Sequence, residues 1–155
     1  FLEIVKKLRR VSPAMRLSTD AIVGFPGETD EDFNRTKEAF VKSGFEMGYI
    51  FKYSERSGTP ATQLENKVPK ATKEKRNQEL LALLESQSFA SNQKLQGHSM
   101  EILVEGAARK GEGKLMGRTR CYRKVIFEGT GNLIGSLVDV RIKDVSSSTL
   151  QAIEI

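Results

Sequence analysis

Cysteine, histidine and tryptophan are nearly missing from this chain of 155 residues, which holds one Cys, one His and no Trp. A single thiol, Cys121, excludes an intramolecular disulfide framework and any three-cysteine cluster site made by this chain alone. It also fits a reducing compartment. His98, next to Gly97, has no second histidine or acid at ligand spacing and Cys121 has no visible base partner, so the first is expected to be structural and the second an incidental thiol, with no metal site. Long apolar runs are missing too. Hydrophobic residues make up 38%, and no stretch approaches the roughly 18 to 20 residues that a bilayer demands. A cytoplasmic, soluble protein with no membrane partner is expected. The first residue is Phe1 rather than Met, and no charged-then-apolar leader follows, so the chain reads as an internal piece of a longer one.

Charge is present in quantity. Lys and Arg number 25 against 20 Asp and Glu, a formal excess of +5. The excess is uneven: residues 18–66 are acidic, whereas residues 109–124 set Arg109, Lys110, Lys114, Arg118, Arg120, Arg123 and Lys124 against the one acid Glu112. A charge run is usually a solvated face. Four arginines in so short a span also suit phosphate, because planar guanidinium groups bind it bidentately.

Hydrophobic spacing divides the chain near Leu95. Ile4, Val5, Leu8 and Val11 mark an amphipathic helix ending before Pro13. Ala21, Ile22 and Val23 form a short apolar run closed by Gly24 and Pro26, which predicts a strand buried in a parallel sheet. Thr29 followed by Asp30, Glu31 and Asp32 predicts a helix start, Phe33, Thr36 and Phe40 one face of that helix, and Gly44 its end. Met47 to Tyr53 reads as a second strand, and helix, strand, helix, strand is the order of an α/β sheet or barrel. After a loop and linker, a long helix is expected over about 71–95, with Leu80, Leu81 and Leu84 on one side. Beyond Gly97 the period becomes two: Met100, Ile102 and Val104, then Val125 and Phe127, then Val138, Val140 and Ile142. About five short strands predict a small antiparallel barrel of the OB type.

Three motifs carry chemistry. Asp20-Ala-Ile-Val-Gly-Phe-Pro-Gly-Glu28 lies where a strand hands over to a helix, the end of α/β sheets at which ligands bind. Its glycines admit close approach of a ligand, or simply make a tight turn. It has neither the lysine of a phosphate loop nor the glycine spacing of a dinucleotide fingerprint. Tyr53-Ser-Glu-Arg-Ser-Gly-Thr-Pro-Ala61 is a donor-rich loop leaving the next strand, with Arg56 and Thr59 able to hold a carboxylate, ribose or phosphate. In the third, Leu115 to Phe127, Arg118 and Arg120 project from one strand face, Arg123 and Lys124 extend it, and Tyr122 offers a ring for a base.

These stretches, with Ile134-Gly-Ser-Leu-Val-Asp-Val140, resemble the C-terminal part of the radical-SAM methylthiotransferases, in particular the branch that modifies isopentenyladenosine beside the anticodon of tRNA. The resemblance implies that residues 1–92 are the end of a partial radical-SAM TIM-like α/β barrel and residues 93–155 a small all-β, OB-like TRAM barrel that binds RNA. It implies S-adenosylmethionine contacts at Ile22, Gly24, Glu28, Arg56 and Thr59, and RNA contacts at Arg109, Lys110, Lys114, Arg118, Arg120, Tyr122, Arg123 and Lys124. Two 4Fe-4S clusters, whose cysteine ligands lie outside this chain, tRNA held at its anticodon stem-loop, a reducing electron donor and a monomeric state follow from the same resemblance. This chain alone is then inactive. Asp20 stands where the wider pattern has glycine, and Ser57 where related loops often have proline. Two sister activities stay open, on threonylcarbamoyladenosine in tRNA or on a ribosomal protein, as does a noncatalytic RNA-binding module.

Overall fold

Thr29 closes a capping box at the start of α2 (Asp30–Ser43): its hydroxyl accepts from the Asp32 amide, and the Asp32 carboxylate accepts from the Thr29 amide. Three acids in the first turn favour the same end, and Gly44 stops the helix in the left-handed conformation at φ 61°. The computed structural model describes residues 1–13 and 15–155. It divides into two units, Phe1–Gln87 and Ser88–Ile155.

In the first unit, α1 (Leu2–Val11) precedes β1 (Ser18–Val23), and β2 (Met47–Lys52) lies parallel to β1 in the register Ala21 to Ile50 and Ile22 to Phe51. A helix α3 (Lys70–Gln93) follows the loop, and its last residues belong to the second unit. Val23, Phe33, Phe40, Phe45, Leu80 and Leu84 form the core, burying one face of the strand pair. Leu81 turns to solvent instead. Against the expectation of a strand buried on both faces, one face is open within this chain: Ile22 is 56% exposed, Tyr49 65% and Phe51 53%. Alternation puts these three on one side of the two strands, while the core residues occupy the other. No helix among the described residues is long and apolar enough to cross a membrane.

The second unit is a closed five-strand barrel. Its strands β3 (Ser99–Ala107), β4 (Lys114–Thr119), β5 (Lys124–Glu128), β6 (Leu137–Val145) and β7 (Leu150–Glu154) are joined in the order β3, β4, β5, β7, β6. All pairs are antiparallel except β5 with β7, which is parallel, so the wholly antiparallel expectation fails at the closure. The period of two holds through the walls. Ile102, Val104, Leu115, Val125, Phe127, Val140, Ile142, Leu150 and Ala152 point inward and form the core. A bulge in β3 between Val104 and Gly106 gives one bend that closure requires.

Gly117 sits where β4 presses closest on β3. A methyl group there would lie 2.6 Å from the Leu103 carbonyl oxygen and 3.0 Å from Ile102 Cδ1. Since a backbone oxygen in a paired strand cannot step aside cheaply, Gly117→Ala is expected to cost about 2 kcal/mol. A lowered urea midpoint with unchanged slope is the measurement that checks it.

Candidate functional site

The first candidate site is the loop leaving β1. Gly24 takes φ +72°, and its amide donates to Glu28 Oε2 at 2.6 Å. The same carboxylate oxygen accepts from Arg76 Nη1 at 2.6 Å, and Arg76 also donates to the Glu28 carbonyl at 3.1 Å and, through Nη2, to Asp30 at 2.7 Å. The side chains of Arg76 and Glu28 are 6% and 11% exposed. Burial alone would lower the Arg76 pKa, but its hydrogen bonds to Asp30 and Glu28 prevail and raise it. Arg76 therefore staples the turn to α3, and Glu28, expected as a ligand contact, spends its carboxylate on fixing the shape of the Gly24 loop.

The second polar loop leaves the neighbouring strand end. The Tyr53 amide donates to the Val23 carbonyl at 2.8 Å, and the Phe25 and Tyr53 rings meet edge to face at 5.1 Å. Parallel pairing thus starts the Gly24 and Tyr53 loops side by side, with Ile22 bare on the sheet beside them. Arg56 and Thr59 lie further along and are exposed; the Thr59 hydroxyl donates to the Arg56 carbonyl at 2.8 Å, making a local turn. Sequence reasoning missed Arg76, which stands 48 residues from Glu28 and shows only as one base in a helix.

The basic stretch of the second unit is distributed over the whole length of β4. Arg109 and Lys110 are exposed in the loop before it, Lys114 pairs in register with Glu128, and Arg118 pairs with Lys124. Arg120, Cys121 and Tyr122 form the turn after it. Six strand residues separate the two ends by about 17 Å at ~3.3 Å per step, so one linear patch becomes two basic ends.

At the far end the turn is well defined. The Tyr122 amide donates to the Thr119 carbonyl at 2.9 Å, and the Thr119 hydroxyl accepts from the Arg123 amide at 3.0 Å. Tyr122 takes φ 64°, a conformation uncommon for an aromatic residue and usual for the last position of a three-residue hairpin loop. Its exposed ring carries the Arg118 guanidinium, 4.0 Å from the ring centre. Arg118 Nε also donates to Glu105 at 3.1 Å, and Arg120 donates twice to Glu101, at 3.1 and 2.9 Å.

Arg123 does not join that surface. It is 6% exposed, and its guanidinium donates to Asn92 Oδ1 and, at 3.0 Å, to Ser91 Oγ. Asn92 in turn donates to the Ser146 carbonyl at 2.7 Å, and Ser88 to that of Ser147 at 2.6 Å. Arg123, expected as an RNA contact, forms a buried tie between the hairpin and the last turn of α3. The physical reason is parity, since Arg123 shares the inward phase of Val125 and Phe127.

A five-strand barrel closed in this order defines the class of OB-type small barrels, and residues 93–153 match the family model of the TRAM domain. Over nearly its full length the chain is similar to the C-terminal part of tRNA-2-methylthio-N(6)-dimethylallyladenosine synthases. It is 50% identical to that of Opitutus terrae over 97% of this chain and 31% of the relative. The corresponding protein of Desulfitobacterium hafniense is 42% identical over 97% of this chain and 34% of the relative, and that of Bordetella avium 44% over 97% and 32%. The chain spans about a third of the length of the relatives it matches.

Proposed function

We propose that this chain is the C-terminal portion of a tRNA methylthiotransferase that converts isopentenyladenosine next to the anticodon into its 2-methylthio derivative. The observation that carries the reading is identity of 50% across both units at once, to a protein named for that product. In it, β1 and β2 are the last strands of the radical-SAM barrel, and the face bearing Ile22, Tyr49 and Phe51 turns to its interior, which gives those exposed apolar side chains a reason. Residues 93–155 are the TRAM domain that holds tRNA.

The residues of the first unit fit an adenosine-bearing cofactor. Ile22 offers an apolar contact, Gly24 a turn at φ +72° whose missing Cβ leaves room that the Lys73 side chain fills, and Arg56 and Thr59 polar groups on the adjoining loop. Glu28 and Arg76 keep that backbone in place. In the whole protein S-adenosylmethionine and two iron-sulfur clusters supply the radical, sulfur and methyl chemistry. The cysteines that would hold the clusters belong, on this reading, to the part of the protein outside this chain, which itself offers one cysteine.

Nucleoside mass spectrometry of tRNA from a strain lacking the full-length gene tests the reading. Loss of 2-methylthio-isopentenyladenosine is expected, with isopentenyladenosine accumulating. Loss of the threonylcarbamoyl counterpart instead reassigns the substrate, and unaltered tRNA overturns the reading.

A further inference from the structure

We propose that Glu101 and Glu105 of β3 are built-in competitors of RNA for Arg120 and Arg118, and that they determine how selectively the barrel binds. The inference rests on the reading of this barrel as an RNA-binding domain. It concerns the regulation of that surface by its own acids.

Four observations converge. Each of the two arginines beside the Tyr122 turn is engaged by one carboxylate from the neighbouring strand, Arg118 by Glu105 at 3.1 Å and Arg120 by Glu101 at 2.9 Å. Arginine binds a carboxylate oxygen and a phosphate oxygen with the same charge-assisted geometry, so each acid occupies a donor that RNA would use. The Arg120 pair is open to water, its arginine side chain 86% exposed, whereas the Arg118 and Glu105 side chains are 28% and 34% exposed. A pair as exposed as that of Arg120 adds little to stability, so its presence on a basic face calls for a reason other than folding. Finally, Arg118 is held from a second side by the Tyr122 ring, and that support does not depend on Glu105. Release of the carboxylate leaves the guanidinium ordered and ready.

The consequence is a threshold. A phosphate that arrives in register replaces a carboxylate at nearly even exchange, and the displaced acid then repels any backbone that fits badly. Loosely bound nucleic acid is penalised more than an RNA whose phosphates meet both arginines together.

The test uses the full 155-residue chain, an anticodon stem-loop RNA and an unrelated 20-nucleotide oligouridine, with affinities measured by fluorescence anisotropy in 0.1 M salt. Glu101→Gln/Glu105→Gln is expected to tighten oligouridine binding about tenfold and stem-loop binding only about threefold, narrowing the preference between them. Asp144→Asn/Glu154→Gln removes the same charge away from the 109–124 stretch and is expected to change either affinity by less than about twofold. If Arg118→Ala/Arg120→Ala weakens stem-loop binding while the Glu101/Glu105 variant tightens no more than the Asp144/Glu154 variant, the competition is overturned and the RNA reading stands. Should Arg118→Ala/Arg120→Ala bind as tightly as the wild type, the RNA reading of this face falls, and the competition with it.

Discussion

Arg76→Met is expected to destabilise the first unit by about 3 to 5 kcal/mol, the cost of removing one partner from a buried ion pair. Three donations vanish together, two to Glu28 and one to Asp30. Asp30 is exposed and regains water, whereas Glu28 is left nearly buried with the Gly24 amide as its remaining donor. Most of the cost therefore sits on Glu28. That localisation gives a second expectation: adding Glu28→Gln restores a large part of the loss, because a neutral amide still accepts from Gly24 and no longer needs the arginine. Urea unfolding of the single and double variants measures the coupling, and amide exchange at Gly24 reports the loop itself. Equal stability of Arg76→Met and wild type would show that the staple contributes nothing.

The same cluster is one contributor to the acid side of the stability profile, beside Glu3, Asp32, Glu38, Glu55 and Glu74, whose carboxyls are also held below their ordinary values. The Arg76 hydrogen bond holds the Asp30 carboxyl below its ordinary value of 3.8. A carboxyl depressed in the folded state contributes stability that is fully present above the unfolded pKa and is lost as pH falls through the folded one. Loss from this group therefore begins below about pH 4, and Asp30→Asn is expected to flatten the profile there while leaving its shape above pH 5 unchanged.

Much of this architecture is written in local pattern. Thr29 and Asp32 stand three apart ahead of an apolar face, and no other structure satisfies both side chains so well. In the barrel, Ile102, Val104, Val140 and Ile142 announce the inner wall because a pleated strand offers two faces and only one is dry. What local pattern does not carry is pairing between distant segments. Ile22 reads as buried because it lies in an apolar run, yet its exposure depends on which layers cover the sheet. The parallel contact of β5 with β7 is likewise a property of closure. Glu101 and Glu105 show their outward phase in the sequence, but their partners emerge only once β3 and β4 have a register. Arg76 and Glu28 are linked across α2, β2 and a linker, where neither periodicity nor motif reaches.

Arg123 separates charge as composition from charge as chemistry, and Arg123→Ala is the sharpest expression of that difference. The substitution empties a buried position, strips Asn92 Oδ1 and Ser91 Oγ of a charged donor, and loosens the hydrogen bond that Asn92 makes to Ser146. An unsatisfied buried acceptor costs about 1 to 3 kcal/mol, and the cavity adds to it, so a loss of about 3 kcal/mol in barrel stability is expected. Lysine rescues little, since one ammonium on a flexible stem cannot reproduce a fork that meets two acceptors. Arg118→Ala/Arg120→Ala behaves in the opposite way. Arg120 is exposed and Arg118 packs on the Tyr122 ring, so the double change is expected to cost about 1 kcal/mol in stability, while on the proposed reading each arginine removed lowers the salt slope of RNA binding by roughly 0.7 to 0.9. Thermal melts and salt titrations of the two variants side by side decide the matter. If Arg123→Ala melts like wild type and loses only RNA affinity, the buried tie is not what the arginine is for; if it melts early with an unaltered salt slope, one of the seven bases in residues 109–124 belongs to the core and not to the binding surface.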